Sequence, residues 1–424
     1  MTRRFTFLVL LVVMLMVAAV GVVVVWTQHD DEEPVTILGT WTGQQEQQFK
    51  TVLRSLGVPF RYQGTAAQRE VLLSKVQSGE PPDVVIMPGI GELAEYRDQN
   101  RLKPLDHLYD PQQYGAPWNA AGTASGHVFW VPVKADLKSI VWYREGHRPA
   151  DTPAPMSSWC MGMGDDGASG WPGTDWIEDL VLQRAGPGFY ARWALNSGGP
   201  RHHWWTSTEV RSAWTAWARL LEQDRPAART ALLTDHRGAP GGHGLLFGGA
   251  HGCTLEHQGS FARSFYGPKD TEHARLTDSA ALLPGGGTRV RAHEVTGDFA
   301  ALFSERAPAR ELIRRLSSKR AQQKWAEVAG VFSANRQVVP KDQPVERQIA
   351  ERLLKGPRCL DASDVMAPAV RDAFYEAVLL TMARVAAKDD DPRIGALLEN
   401  VQRVQDVSTK NTRHAALQTV CSTH

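Results

Sequence analysis

An excess of charge of either sign is missing from this chain. Across 424 residues, 47 Lys+Arg stand against 46 Asp+Glu, a net charge of +1. No basic stripe interrupts that balance, so the electrostatic footprint that holds nucleic acid is absent and that partner is excluded. Cysteine is scarce: four residues, at 160, 253, 359 and 421. None precedes Cys160, which rules out an N-terminal cysteine carrying a lipid. No internal repeat or low-complexity tract occurs, so the chain is not a solenoid or a linker-like polymer. Tyrosine is sparse beside tryptophan, eight against fourteen.

What remains is an ordinary globular composition, 42% hydrophobic and 22% charged, long enough for two domains. Phe5 to Trp26 is uncharged and almost wholly apolar, long enough for the roughly 20 residues that span a bilayer. Arg3 and Arg4 precede it and Asp30-Asp31-Glu32-Glu33 follow. The positive-inside rule then places residues 1–4 in the cytoplasm and 27–424 on the extracellular face, with 27–35 as an acidic linker. A cleaved signal is the alternative, but signal cores run roughly 7 to 15 residues, and Ala18-Ala19 is a poor cleavage site. An uncleaved single-pass anchor is the expectation. The cysteines all lie in the exported part, where disulfides form, and three connectivities are open.

Val35–Leu38, Phe60–Tyr62 and Asp83–Met87 read as strands. Helices fall between and after them, with Phe49, Val52, Leu53 and Leu56 on one face, then 67–78, then Gly91–Gln99. This is the start of a doubly wound sheet, whose ligands sit at strand carboxyl ends. A strand pair at Phe129–Val131 and Ser139–Tyr143 leads away from it. A helix at 207–222 puts Val210, Trp214, Trp217 and Leu221 on a core stripe. After Gly297-Asp298 the spacing is helical, through Leu312, Ile313, Leu316 and Trp325 to Gly330. Three more helices finish the chain, the second capped by Ser363.

The densest chemistry lies at Ser169-Gly170-Trp171-Pro172-Gly173-Thr174-Asp175-Trp176-Ile177-Glu178-Asp179. Indoles offer a flat apolar ring, and the carboxylate and hydroxyl offer hydrogen bonds, a combination suited to a pyranose. The competing reading is a buried indole pair at a helix start with Thr174 as N-cap. Gly89-Ile-Gly91-Glu-Leu-Ala94 follows a strand and opens a helix, as a dinucleotide loop would. Its extracellular placement and Pro88 favour a plain tight loop. His251-x-Cys253-x-x-x-His257 offers three zinc-type ligands, one short of a structural site, and an exported cysteine more often pairs with another. Asp175, Glu178, Asp179 and Glu256 could supply a glycosidase carboxylate pair, although Glu178 and Asp179 fit a solvated helix face. No cofactor and no metal is expected.

A resemblance then emerges from the order of several short motifs. They are Gly39-Thr-Trp-Thr-Gly43 with Phe49, Gly79-x-Pro-Pro-Asp83-Val, Pro88-Gly-x-Gly91, and Val131-Pro-Val-Lys134-Ala-Asp136-Leu-Lys138-Ser139 with Trp142-Tyr143. The 169–179 segment follows, then His257-Gln258-Gly-Ser260-Phe261, Gly297-Asp298, Phe332-Ser333-x-Asn335 and Asp361-Ala-Ser-Asp364-Val-Met366. From about 35 to 405 the chain resembles the sugar-type solute-binding proteins of bacterial ABC importers, the maltose-binding-protein superfamily, and within it an actinobacterial α-glucoside-binding-like branch.

The resemblance implies an α/β, two-lobe periplasmic-binding-protein-like (type II) fold with a ligand cleft between the lobes, preceded here by the transmembrane helix. Lobe 1 would be 36–134 plus 297–332, and lobe 2 135–296 plus 333–424. Lobe 1 would contribute Trp41, Thr42, Gln44, Gln45, Gly64, Thr65, Met87 and Pro88 to the cleft, with Lys134 and Asp136 at the exit. Lobe 2 would contribute Trp171, Thr174, Asp175, Trp176, Gln258, Ser260 and Phe261, with Asp298 and Phe332 near the hinge. Cys160 and Cys253 sit where this branch carries a pair, leaving Cys359 and Cys421 as the second. The implied protein is no enzyme but a monomeric receptor that delivers an oligosaccharide to importer permease subunits. A glycoside hydrolase and a sensing ectodomain are the alternatives. Relatives often carry acids where this chain has Gln44-Gln45, which bears on the ligand.

Overall fold

The computed structural model describes residues 33–118, 126–198, 202–239, 241–248, 252–285, 290–388, 392–411 and 420–422. The expected anchor at 5–26 lies outside the described residues. Among the described residues, no helix is long and apolar enough to cross a membrane.

β1 (Val35–Gly39), α1 (Gly43–Ser55), β2 (Phe60–Gly64), α2 (Gln68–Gln77), β3 (Val84–Pro88) and α3 (Gly91–Asp98) alternate as the periodicity predicts. β1 pairs in parallel with both β2 and β3. Val84 to Met87 are all buried, as suits a strand covered on both faces. α1 packs its Phe49, Val52 and Leu53 stripe into this core.

β4 (Trp130–Leu137) and β5 (Ile140–Arg144) do form, but they do not pair with each other as expected. β4 runs antiparallel to β8 (His293–Leu302), which is itself antiparallel to β3. β5 lies in a second sheet, between β6 (Leu255–His257) and β7 (Ala274–Asp278). The cause is the crossing at Lys138-Ser139. Ser139 takes φ of 56°, Lys138 N–H donates to the Glu294 carbonyl at 2.7 Å, and the Ser139 hydroxyl accepts from Glu294 N–H at 3.0 Å. These bonds turn the chain from one sheet into the other.

The helices between β5 and β8 are α4 (Trp171–Ala194), α5 (Thr208–Glu222), α6 (Arg225–Leu233), α7 (Gly244–Gly248) and α8 (Pro268–His273). α4 kinks at Gly186, before Pro187, where proline removes a helix bond. α5 buries Val210, Trp214, Trp217 and Leu221, and the Ser207 hydroxyl caps it. Glu178 and Asp179, expected on a solvated face, are fully buried, because α4 is covered by α5 on one side and by the C-terminal helices on another.

β8 continues through Gly297-Asp298 to Leu302 before helix resumes, since Phe299 to Leu302 are buried between β3 and β4. α9 (Ala307–Leu316), α10 (Lys319–Ala329), α11 (Pro344–Leu354), β9 (Arg358–Leu360), α12 (Ala362–Val365), α13 (Pro368–Ala386), α14 (Ile394–Asn411) and β10 (Cys421–Ser422) complete the chain. Among the described residues four helices therefore follow Gly330 rather than three. The cap of α12 is Asp361, not Ser363: its Oδ1 accepts from Asp364 N–H at 3.0 Å and from the Ser363 hydroxyl at 2.7 Å. Among the described residues the larger sheet runs β10-β9-β8-β3-β1-β2, with β4 also on β8. Disulfides join Cys160 to Cys253 and Cys359 to Cys421, the latter between register partners of β9 and β10.

Candidate ligand-binding site

β4 and β8 carry a polar ladder past the junction of the two sheets. Lys134 lies opposite Asp298 and Asp136 opposite Thr296. The register shifts between Pro132 and Lys134, a bulge of the kind that re-aims side chains near functional sites. The Lys134 ammonium bonds Asp136 at 2.7 Å and reaches Asp298 at 3.5 Å. Those two carboxylates hold the lysine well above its ordinary range despite burial. Asp298 also accepts from the Trp41 side chain. Asp136 accepts from the Ser260 hydroxyl at 2.7 Å, and Ser260 in turn accepts from Leu137 N–H at 3.0 Å. One connected network thus runs from the loop after β1 to the turn after β6.

On the smaller-sheet side, Ser260 of the network is followed by Phe261, which packs against Trp171. Gly170 precedes it with φ of 107°, a left-handed conformation that glycine supplies without strain, and α4 begins at Trp171 itself. Thr174 is therefore inside the helix, with its hydroxyl donating to the Trp171 carbonyl at 2.9 Å, and Gly170 takes the N-cap position. The Trp171 indole N–H donates to Asp165 at 2.8 Å. Phe261 and His236 meet its ring edge-on, with centroids 5.7 and 4.8 Å away. The Lys138 ammonium lies 5.5 Å from its centroid. Trp171, Phe261, Lys134 and Thr296 are all half-buried.

The other expected residues divide by exposure. Thr42, Gln44 and Pro88 are exposed, and Gln45, Gly64 and Thr65 half-buried. Trp41 and Met87 are buried, Trp41 against Phe49 and Trp325. The Gly64 backbone lies against the Trp41 carbonyl. Trp176 is sealed between Trp159 and His257, at 4.8 and 4.5 Å, so no face is open for stacking. Gln258 is buried, with its amide donating to the His236 carbonyl at 3.3 Å. Phe332 is buried too, and its carbonyl accepts from Ala135 N–H at 2.9 Å.

Asp175 faces inward. Lys138 bonds it at 2.9 Å and also bonds Asp361. Burial pushes Asp175 up to about 6, with Lys138 opposing, whereas Lys138 and Ser363 keep Asp361 below its ordinary range despite burial. Glu178 accepts from Ala362 N–H at 2.7 Å, and burial and Asp361 hold it well above the usual range. Asp175, Glu178 and Asp361 place oxygens within 4.8 Å of one another, but the Lys138 ammonium already supplies their positive charge.

The remaining motifs are absorbed by structure. Cys253 is disulfide-bonded, and His257 pairs with Asp179 at 2.8 Å; His251 lies outside the described residues. Glu256 accepts from Tyr266 and from Leu246 N–H, each at 2.9 Å, and burial pushes it up to about 8. The Gly89-Ile90 turn and the start of α3 dock on α12, where Ile90 N–H donates to the Asp364 carbonyl at 2.9 Å. A separate cavity of about 390 Å³, lined by Arg184, Arg211, Arg219 and neighbours, lies against α4 and α5 and shares no residue with the expected set.

Sequence reasoning did not select Thr296 or Asp364. The Thr296 hydroxyl bonds the Asp364 carboxylate, which extends the ladder to α12. The signal was available: Asp136 faces Thr296 once Lys134 faces Asp298, and Asp361-Ala-Ser-Asp364 has the form of a capped helix start.

No protein-family model matches the chain. It is 28% identical over 375 residues to the α-glucosides-binding periplasmic protein AglE of Rhizobium meliloti, covering 79% of this chain and 80% of that protein. It is 26% identical over 374 residues to the osmoprotective compounds-binding protein GgtB of Synechocystis, covering 80% and 86%. A solved chitin oligosaccharide binding protein superposes with a TM-score of 0.69 over 90% of this chain and 100% of its own, at 15% identity. The fold is thus the α/β two-lobe solute-binding fold, and over about four-fifths of its length the chain is similar to periplasmic and osmoprotectant-binding proteins.

Proposed function

We propose that this chain is an extracytoplasmic receptor for a carbohydrate, an α-glucoside-like oligosaccharide, which it delivers to the membrane subunits of an ABC importer. The observation that carries this reading is the fixed, half-buried indole of Trp171, packed on Phe261, whose neighbour Ser260 bonds Asp136 in the ladder of Lys134, Asp136, Thr296 and Asp298. A pyranose presents C–H faces to the first and hydroxyls to the second. The similarity to an α-glucoside receptor supports the ligand class.

The two lobes, 36–134 with 297–332 and 135–296 with 333–424, close about the strands that cross between the sheets. Ligand contacts on both lobes favour the closed form, and the importer recognises that form. Phe5–Trp26 tethers this monomeric receptor to the membrane, with 27–424 outside.

Calorimetric titration of the full chain with α- and β-linked gluco-oligosaccharides tests the reading. Saturable heat without product is expected, and Trp171→Ala should weaken binding about 10- to 100-fold. Heat with none of the sugars would reject the carbohydrate reading. Retention of the receptor in membranes after an alkaline wash tests the anchor, and full release would reject it.

A further inference from the structure

Most carboxylates around the ladder are buried and committed. Asp136 serves Lys134 and Ser260, Asp298 serves Lys134 and Trp41, and Asp175 and Asp361 serve Lys138. Glu178 takes backbone N–H groups of α12. Asp364 differs. It is half-buried, its Oδ2 is bound by the Thr296 hydroxyl, and its Oδ1 has no hydrogen-bond partner among the described residues.

Its position is set from two sides. Ile90 N–H holds its carbonyl from the loop after β3, and its own N–H is capped by Asp361. Gly89 lies so close that an added Cβ would stand 2.8 Å from the Asp364 Cβ. The surrounding strands reinforce the point. Along β4 and β8 every residue is buried except Lys134 and Thr296, which are diagonal neighbours about 7–8 Å apart. The paired strands open to solvent only there, and Asp364 stands at that opening with an oxygen to spare.

We propose that the free Oδ1 of Asp364, oriented by Thr296, is a ligand-contacting acceptor of this site and reads a hydroxyl of the bound sugar. The inference rests on the carbohydrate reading. Lys138, Asp175, Asp361, Arg371 and Tyr375 surround the group on its other sides. Burial and Asp361 push Asp364 up to about 7, and Lys138 and then the Thr296 hydroxyl pull against them. An ionised carboxylate accepts where the protonated one competes as a donor, so affinity should rise as pH climbs from 6 to 8.

The test is titration of the full chain with maltose, maltotriose, trehalose and cellobiose at pH 6, 7 and 8. Asp364→Asn keeps the shape, and should bind about 10- to 100-fold more weakly at pH 8 with a flat pH profile. Thr296→Val removes the opposing hydrogen bond, so it should shift the midpoint of the profile to higher pH. Wild-type affinity and profile in Asp364→Asn overturn the inference while the carbohydrate reading stands. Should that variant fail to fold, an unmoved midpoint in Thr296→Val overturns it instead. No binding of any sugar by the native chain removes the carbohydrate reading and this inference with it.

Discussion

Lys138 ties the crossing between the sheets to two other elements through buried charge. Its ammonium bonds Asp175 of α4 and Asp361 at the start of α12. Breaking a buried ion pair from one side leaves the partner charge unsolvated, which costs about 3–5 kcal/mol, whereas removing both partners costs far less. Lys138→Met should therefore lower unfolding free energy by about that amount, read from urea midpoints. Adding Asp361→Asn to it should recover part of the loss. Equal midpoints for the single variant and the native chain would mean that the pair contributes no net stability. Trp176 teaches the converse at the same scale. By composition it matches Trp171, yet Trp159 and His257 enclose it, so one indole of the motif is open and the other is core.

At the scale of elements, local periodicity was a sufficient guide wherever a segment packs by its own pattern. β1 to α3 form almost where the apolar spacing places them, because each βα unit is local. The crossing escaped because β4 and β5 read as neighbours, and only the turn at Ser139 and the partners on β6, β7 and β8 separate them. Glu178 and Asp179 escaped for a related reason: sequence shows charge on a helix, but not the helices packed over it. The Gly89–Gly91 turn likewise read as a loop, and its role is docking. A Cβ on Gly91 would stand 2.0 Å from the Met366 carbonyl oxygen. Backbone must move to admit it, so Gly91→Ala should destabilise by about 1–3 kcal/mol, measured by denaturant unfolding. An unchanged midpoint would show that α12 is not wedged against this loop.

Across the whole molecule, buried acids determine how stability follows pH. Burial and neighbouring carboxylates raise Glu178 and Glu294 well above the ordinary range. Burial takes Glu256 to about 8, Asp364 to about 7 and Asp175 to about 6. Each raised acid keeps its proton in the folded chain at pH values where the unfolded chain has released it. The folded state then binds more protons, and stability falls as pH rises from near 4 to each folded value, by about 1.4 kcal/mol per retained proton per pH unit. His236, lowered by burial, opposes this near pH 6 but is a single group. At the acid end the sign reverses. Asp361, Asp179 and Asp278 sit below their ordinary range, through Lys138, His257 and His293 respectively, so their contribution is present above pH 4 and lost below it. The ligand-free chain should therefore be most stable near pH 4–5, and its urea midpoint should decline from pH 5 to pH 8. A midpoint that rises over that interval would mean that the cluster around Lys138 ionises in the fold. The same titration run with a bound sugar separates the site from the scaffold, since Asp364 is a raised acid that is half-buried beside Thr296.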